Sequence, residues 1–286
     1  MISFRANGKL LITSEYAVLN GAKSIAIPTK LGQTLNYVEG NKSLYWTAYK
    51  NDGSVWIQGF VGKSKNLQQV NKLITEAMKI ADRNDFPRGE VFTKLEFPQK
   101  WGWGSSSTLT SLIAQWFAID ALELHFKTSN GSGYDIACAT AKQPIFYQKL
   151  KNNIEITPIK LNQWPTENMY FQYLGQKKES SEAVREYHKK PIQNIQTFTR
   201  LTEDIFKASK IKTLINLVNN HELLMSKHLG QESPLQARFK DSTIGMKSLG
   251  AWGGDFALLI IPNKQQVDYL KLHNPGTFFS WNEVIR

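Results

Sequence analysis

Between the strand-like run GEVFTKLEF and the apolar helical pattern TLTSLIAQWF the chain turns through Gly102, Trp103, Gly104, Ser105, Ser106 and Ser107. A glycine-rich turn that carries a strand into a helix fixes a strand-turn-helix junction, and such a junction is also an anion cradle. Glycines let the backbone approach a phosphate closely, the free amides of the first helical turn point at it, and the helix dipole favours negative charge. The three hydroxyls offer a cap or a metal ligand, so a plain serine-capped turn is an equally simple reading of the same residues. No GxxxxGK followed by Ser or Thr occurs in the chain, which excludes a Walker-type nucleotide loop.

Around this junction the pattern is α+β. The runs FRANGKLLI, SIAIPTKL, QTLNYVEG, SLYWTAYK and SVWIQGFV read as strands, the last two as a hairpin about Asn51, Asp52 and Gly53. Leu67, Val70, Leu73, Ile74, Ala77 and Ile80 recur at helical spacing within Asn66 to Asn84. Asp120 and Glu123 form a capping-box pattern that opens a short helix, and another helix, DIACATA, starts at Asp135. QPIFYQKL and IEITPIKL are strand-like, and the Gln163, Trp164, Pro165 connector places a domain boundary near residue 163. The expected domains are therefore 1–163 and 164–286. In the second, MYFQYLG reads as a strand, a long helical region runs from about Ser181 to Leu249, and GGDFALLII and TFFSWNEVI read as strands flanking a helix near Lys264 to Leu272.

Composition narrows the setting. With 41% hydrophobic and 21% charged residues in 286, the chain is globular and long enough for two ordinary domains. A single cysteine, Cys138, excludes an intrachain disulfide and a cysteine-rich zinc site, and a reducing, cytoplasmic location fits it. No window approaches a membrane span. Lys and Arg number 35 against 24 Asp and Glu, a net charge of +11 that favours an anionic partner. The basic residues are scattered and form no dense tract, which argues against nucleic acid.

Three further segments share the same logic of small or glycine-rich turns carrying a polar residue. In RANGKLLITSEYAVLNG, Lys9 follows Gly8, and it reads either as a surface charge or as a phosphate partner. In NGSGYDIACA, Asp135 is either an N-cap or a carboxylate kept ionised by a helix N-terminus and placed to orient or deprotonate a substrate hydroxyl. In SLGAWGGDFALL, Gly250, Gly253 and Gly254 flank Trp252 ahead of a strand.

Taken in order, RANGKLLITSEYAVLNG, GWGSSS, NGSGYDIACA and SLGAWGGDF resemble the motifs of the GHMP kinase superfamily over essentially the whole chain. KLLITSEYAVLNGAKSIAIP and NGSGYDIACA are most similar to its mevalonate and phosphomevalonate kinase branch, and YLGQKKESSEAV resembles a substrate-side segment of phosphomevalonate kinases. The resemblance implies an N-terminal ribosomal-S5-like α/β domain and a C-terminal ferredoxin-like α+β domain. It implies ATP and Mg2+ as cofactors, with Gly102, Trp103, Gly104, Ser105, Ser106 and Ser107 around the nucleotide and Ser106 as a magnesium ligand. Asp135 would be the catalytic carboxylate and Lys9 the cation beside it, since phosphoryl transfer is mostly positioning plus electrostatics. Lys177, Ser180, Ser181, Gly253 and Gly254 would face the acceptor.

Several positions depart from the family pattern. Asn7 stands where proline is usual, Ser14 and Lys100 where glycine is usual, and Trp252 lies inside the third motif. The interval from Ser107 to Asn130 is about one helix short, which removes the counterpart of the magnesium-binding glutamate and leaves Glu123 as the nearest candidate. Glu123 serves equally well in its capping box, and Trp101 and Trp103 line an adenine pocket or simply pack. The expected activity is ATP-dependent phosphorylation of a hydroxyl or phosphate on a small acidic metabolite, mevalonate or phosphomevalonate being preferred. Partners are then ATP and the acceptor, with no membrane, and a homodimer is compatible. The alternatives are a non-catalytic sensor of nucleotide or metabolite on the same fold and, from the charge, a nucleic-acid module.

Overall fold

The computed structural model describes all residues except 176–186, 188–190, 234–242, 251, 253–254 and 275. The chain forms two compact units, each assembled from separated stretches: residues 1–9, 29–99 and 103–141 make the first, and residues 10–28, 100–102 and 142–286 the second.

Strand β1 (Ile2–Leu11) opens the chain and pairs with β2 (Ser24–Ser43), a single strand of 20 residues. Two strands were expected there, broken near Gly32. The strand runs through because glycine permits a very close approach: a Cβ at Gly32 would lie 2.0 Å from the carbonyl oxygen of Ala6. In the first unit the later half of β2 pairs antiparallel with β5 (Arg88–Leu95). Strand β5 in turn pairs parallel with β3 (Tyr45–Tyr49), and β3 forms the expected hairpin with β4 (Val55–Phe60). Helix α1 (Gln68–Ile80) stops short of Asn84 because Asp82 takes a left-handed turn at φ 51. Its Val70, Leu73, Ile74 and Ala77 are buried with Leu35, Trp46 and Val91 of the sheet and Leu112, Ile113 and Phe117 of α2 (Ser105–Phe117). Helices α3 (Ala121–Thr128) and α4 (Tyr134–Thr140) complete this layer.

In the second unit the first residues of β2 pair antiparallel with β6 (Ile145–Lys149), which pairs with β7 (Ile154–Pro158). A separate antiparallel sheet has the order β11-β8-β10-β9, built from β8 (Met169–Tyr173), β9 (Gly245–Leu249), β10 (Phe256–Ile260) and β11 (Phe278–Ser280). Among the described residues this unit has the helices α5 (Ile195–Lys207), α6 (Ile211–Leu229), α7 (Lys264–His273) and the short α8 (Trp281–Val284), besides shorter turns of helix.

Two expectations fail here. Residues 245–249 belong to a strand and not to the end of a long helix, because all five are buried and pair with Phe256–Ile260. The run TFFSWNEVI is strand only to Ser280, where Ser280 and Glu283 form a capping box and start α8. Among the described residues no helix is long and apolar enough to cross a membrane.

Candidate active site

The glycine turn enters α2 without a side-chain cap. The N-cap residue is Gly104 at φ 89, and no side chain caps the amides of the first turn. The serine-capped reading is therefore incorrect. By contrast α3 is capped, with Asp120 Oδ1 accepting from the Glu123 amide at 2.7 Å. The three serines of the turn are not equivalent. Ser107 is buried and donates its hydroxyl back to the Gly104 carbonyl at 2.9 Å, Ser105 is half-buried, and Ser106 is exposed. An uncapped helix start bounded by two left-handed glycines, Gly102 at φ 66 and Gly104 at φ 89, leaves amides and the Ser106 hydroxyl for an anion and its metal.

Lys9 lies beside this turn. Its backbone amide donates to the Trp103 carbonyl at 3.0 Å, and its stem runs so close to Gly104 that a Cβ there would lie 3.2 Å from both Lys9 Cγ and Cε. The side chain is buried, so the surface-charge reading of Lys9 does not hold. The ammonium lies 5.4 Å from the centroid of the Tyr134 ring.

Asp135 follows Tyr134 at the second position of α4, whose N-cap is Gly133 at φ 90. It is thus not the N-cap; its Oδ1 accepts from the next amide, that of Ile136, at 3.1 Å. Lys9 and Asp135 act in opposite senses on the same two buried groups. Burial raises the Tyr134 phenol above its usual range and the Cys138 thiol well above its own, with Lys9 pulling both down and Asp135 pushing both up. The two residues picked as a catalytic pair therefore share one neighbourhood, next to the start of α2. Tyr134, at the centre of it, was missed; the signal was an aromatic residue directly before the aspartate.

Trp103 is a core residue, 2% exposed, with its ring 5.8 Å from that of Phe97. That ring packs rather than presenting a face for an adenine. In the second unit Trp101 packs edge-on to Phe256 at 5.5 Å and tilted against Phe279 at 5.2 Å. There too Gly102 lies against the buried Asp255: a Cβ at Gly102 would be 1.7 Å from Asp255 Oδ2. Glu123 is exposed, and among the described residues no group of three or more His, Cys, Asp or Glu could hold a metal. Lys177, Ser180, Ser181, Gly253 and Gly254 lie outside the described residues.

The turn of the first motif rests on a buried ionic network in the second unit that the sequence reading did not find. Ser14 and Tyr16 both adopt left-handed backbone, at φ 63 and 57. Lys247 on β9 donates to Glu15 Oε1 and, at 3.0 Å, to the Ser248 carbonyl. Ser14 N donates to His221 Nε2 at 2.8 Å, which leaves the His221 proton on Nδ1, facing Glu15 Oε2 at 3.8 Å. Glu222 accepts from Ser248 N, Ser248 Oγ and Ser233 Oγ at 3.0, 2.8 and 2.7 Å. Burial outweighs the attraction of Lys247 and pushes Glu15 up to about 7, while burial and then Lys247 hold His221 well below its usual range, neutral. The Tyr16 hydroxyl accepts from the Trp252 amide at 3.1 Å, tying the same turn to the third glycine motif.

No protein-family model and no curated protein sequence matches the chain. Solved structures do. A Streptococcus pneumoniae phosphomevalonate kinase in complex with phosphomevalonate and AMPPNP superposes with a TM-score of 0.75 at 17% identity, covering 99% of this chain and 98% of that one. The Methanococcus jannaschii mevalonate kinase gives 0.68 at 15% identity, covering 97% and 96%. A Lactococcus lactis galactokinase complexed with galactose gives 0.67 at 14%, covering 97% and 92%. Over its whole length, the chain has the fold of the GHMP kinases.

Proposed function

We propose that this protein is an ATP-dependent kinase that transfers the γ-phosphoryl group to a hydroxyl or phosphate of a small acidic metabolite, with mevalonate or phosphomevalonate as the preferred acceptor. The observation that carries the reading is the neighbourhood of Lys9, Tyr134 and Asp135 beside the uncapped start of α2. A nucleotide fits that start, because its phosphates would take up the helix amides that no side chain caps. Magnesium fits as an ion held mainly by phosphate oxygens and water, for which one or two protein oxygens suffice, and the exposed Ser106 hydroxyl supplies one. Bound there, it would neutralise phosphate charge.

In this reading Lys9 offsets the charge on the transferred phosphoryl group. Asp135 orients an alcohol acceptor and takes its proton as the oxygen–phosphorus bond forms; a phosphate acceptor arrives ionised and needs only to be oriented. The nucleotide-binding part is assigned to residues 1–163, and Lys177, Ser180, Ser181, Gly253 and Gly254 to the acceptor side. The likeness to a phosphomevalonate kinase holding its acceptor and a nucleotide analogue supports the choice of acceptor class.

The test is ADP release by pure protein with ATP and magnesium against mevalonate, phosphomevalonate, homoserine and sugars. Acceptor-dependent turnover with one of the first two supports the reading, and its absence with every acceptor sinks it. Asp135→Asn checks the assignment: turnover should fall by about a thousandfold or more while nucleotide affinity stays within a few fold. The glycine positions altered at Ser14 and Lys100 motivate one other reading, a nucleotide sensor, which tight ATP binding without any turnover would establish.

A further inference from the structure

Asn7, a departure from the family pattern that no step of the proposed chemistry uses, lies two residues before Lys9 on β1. We infer that Asn7 is a positioning residue for Asp135: its carboxamide ties the far end of α4 to the strand that carries Lys9, and so sets where along that strand the aspartate stands. The tie itself stands on hydrogen-bond geometry alone; its consequence for catalysis rests on the kinase reading.

Side chains alternate along a strand, so Arg5, Asn7 and Lys9 share one face of β1, within the same compact unit as α4. Helix α4 meets that face at both of its ends. At its start the Tyr134 ring centroid lies 5.4 Å from the Lys9 ammonium. Past its last residue Asn7 Nδ2 donates to the Ala141 carbonyl at 2.9 Å. Ala141 is the C-cap of α4, and its amide closes the last turn by donating to the Cys138 carbonyl at 3.1 Å. Asn7 therefore grips a residue whose other backbone group is already part of the helix. Seven residues make about two helical turns, a body too short to bend, so a shift at Ala141 is carried to Asp135.

The orientation of the carboxamide is dictated by what it faces. A guanidinium only donates and a carbonyl only accepts, so the Asn7 oxygen turns to Arg5 and its nitrogen to Ala141. Arg5 Nη1 donates to Asn7 Oδ1 at 2.8 Å. The guanidinium is in turn held by Glu96, through Nε at 3.2 Å and Nη2 at 2.7 Å, and by the Lys30 carbonyl at 2.6 Å. Glu96 Oε2 also accepts from the Gly32 amide at 2.8 Å, so the chain of bonds runs from the backbone of β2 to the end of α4. Asn7 is only 6% exposed, and breaking a bond in such a place leaves a polar group without water to replace its partner. An aspartate at position 7 would keep an acceptor for Arg5 and lose the donor to Ala141, which changes one end of the tie and spares the other.

The test compares Asn7→Asp with Asn7→Ala in the full chain. Turnover should fall about tenfold in both, with KM for ATP within about twofold, as expected when an interaction made in the transition state is loosened. Wild-type turnover in Asn7→Asp overturns the proposal, because the bond to Ala141 would then do nothing for Asp135. A double-mutant cycle with Asp135→Asn separates positioning from lost stability: if Asn7 acts through Asp135, Asn7→Asp has little further effect once that carboxylate is gone. An equal loss in both backgrounds overturns the proposal. A second readout needs no turnover. In protein labelled with 13C-aspartate, the Asp135 carboxyl signal, assigned by its loss in Asp135→Asn, should move in Asn7→Ala. An unchanged Asp135 signal overturns the coupling. A shifted signal in a protein whose wild type turns over no acceptor upholds the coupling and sinks only the kinase reading.

Discussion

The ammonium of Lys247 donates to the carboxylate of Glu15 with both side chains fully buried, so the first-motif turn and strand β9 are joined by an ion pair shielded from water. Removing one member strands the other. Lys247→Met should cost about 3–5 kcal/mol, the usual penalty for a buried charge left alone. Urea unfolding measures it. Glu15→Leu combined with Lys247→Met should recover most of that loss; a double variant as unstable as the single one would mean that packing and not charge is responsible.

The same pair gives a pH signature. Burial raises the Glu15 carboxyl from its ordinary value of 4.5 to about 7, so between those values the folded chain holds this proton more tightly than the unfolded chain does. Its contribution to stability is complete below about pH 4.5 and is lost as pH rises through 7. Wild type should therefore gain on Glu15→Gln as the pH falls from 8 to 5. His221 is present in both proteins and cancels. A difference in unfolding free energy that stays flat across this range would mean Glu15 is ionised throughout.

Ser106 and Ser107 should separate function from stability. The Ser107 hydroxyl is spent on the Gly104 carbonyl, and its loss in Ser107→Ala should cost about 1 kcal/mol of stability, the net worth of one such bond. Ser106 is exposed, so Ser106→Ala should leave the melting temperature alone and raise the magnesium concentration needed for half-maximal turnover several-fold. Thermal melts and a magnesium titration decide it. The reverse pattern would mean that Ser107 is the residue aimed at the metal.

Gly102→Ala should be costly for two reasons at once. The position has a φ of 66, and the new methyl group would meet the Asp255 carboxylate at 1.7 Å. The left-handed backbone alone costs about 1–2 kcal/mol for a residue with a Cβ, and relief of the clash must move the turn. Calorimetric titration with an ATP analogue should show affinity lowered by about tenfold or more, since backbone amides of the displaced turn make the phosphate contacts in the proposed function. Unaltered affinity would remove residues 102–104 from the nucleotide site.

What could be read in advance depended on how local the cause was. The hairpin about Gly53, the helical stripe of α1 and the strand-turn-helix junction at Gly102 to Ser107 were legible, because each is dictated by spacing and turn chemistry within a short window. The association of Lys9 with Asp135 was legible only through the order of motifs, and the structure places both around Tyr134. The segment 245–249, expected at the end of a long helix, is a buried strand. Lys247 is buried because Glu15, more than two hundred residues away, supplies its counter-charge, and no local pattern announces that. Likewise Ser14 occupies a left-handed position suited to glycine and is held there by His221. The Ser280 and Glu283 box was written in the sequence and was overridden by the aromatic, strand-like run before it.

Neither compact unit is one uninterrupted length of chain: residues 10–28 belong with 142–286. A gene cut once near its middle would consequently yield a C-terminal fragment that carries Lys247 and lacks Glu15. The same arithmetic applies to inheritance. A single crossover with a distant relative would bring together a Glu15 and a Lys247 drawn from different parents, so this ion pair acts as a compatibility check on any chimaera, and exchanges that keep both ends from one parent are the ones that should fold.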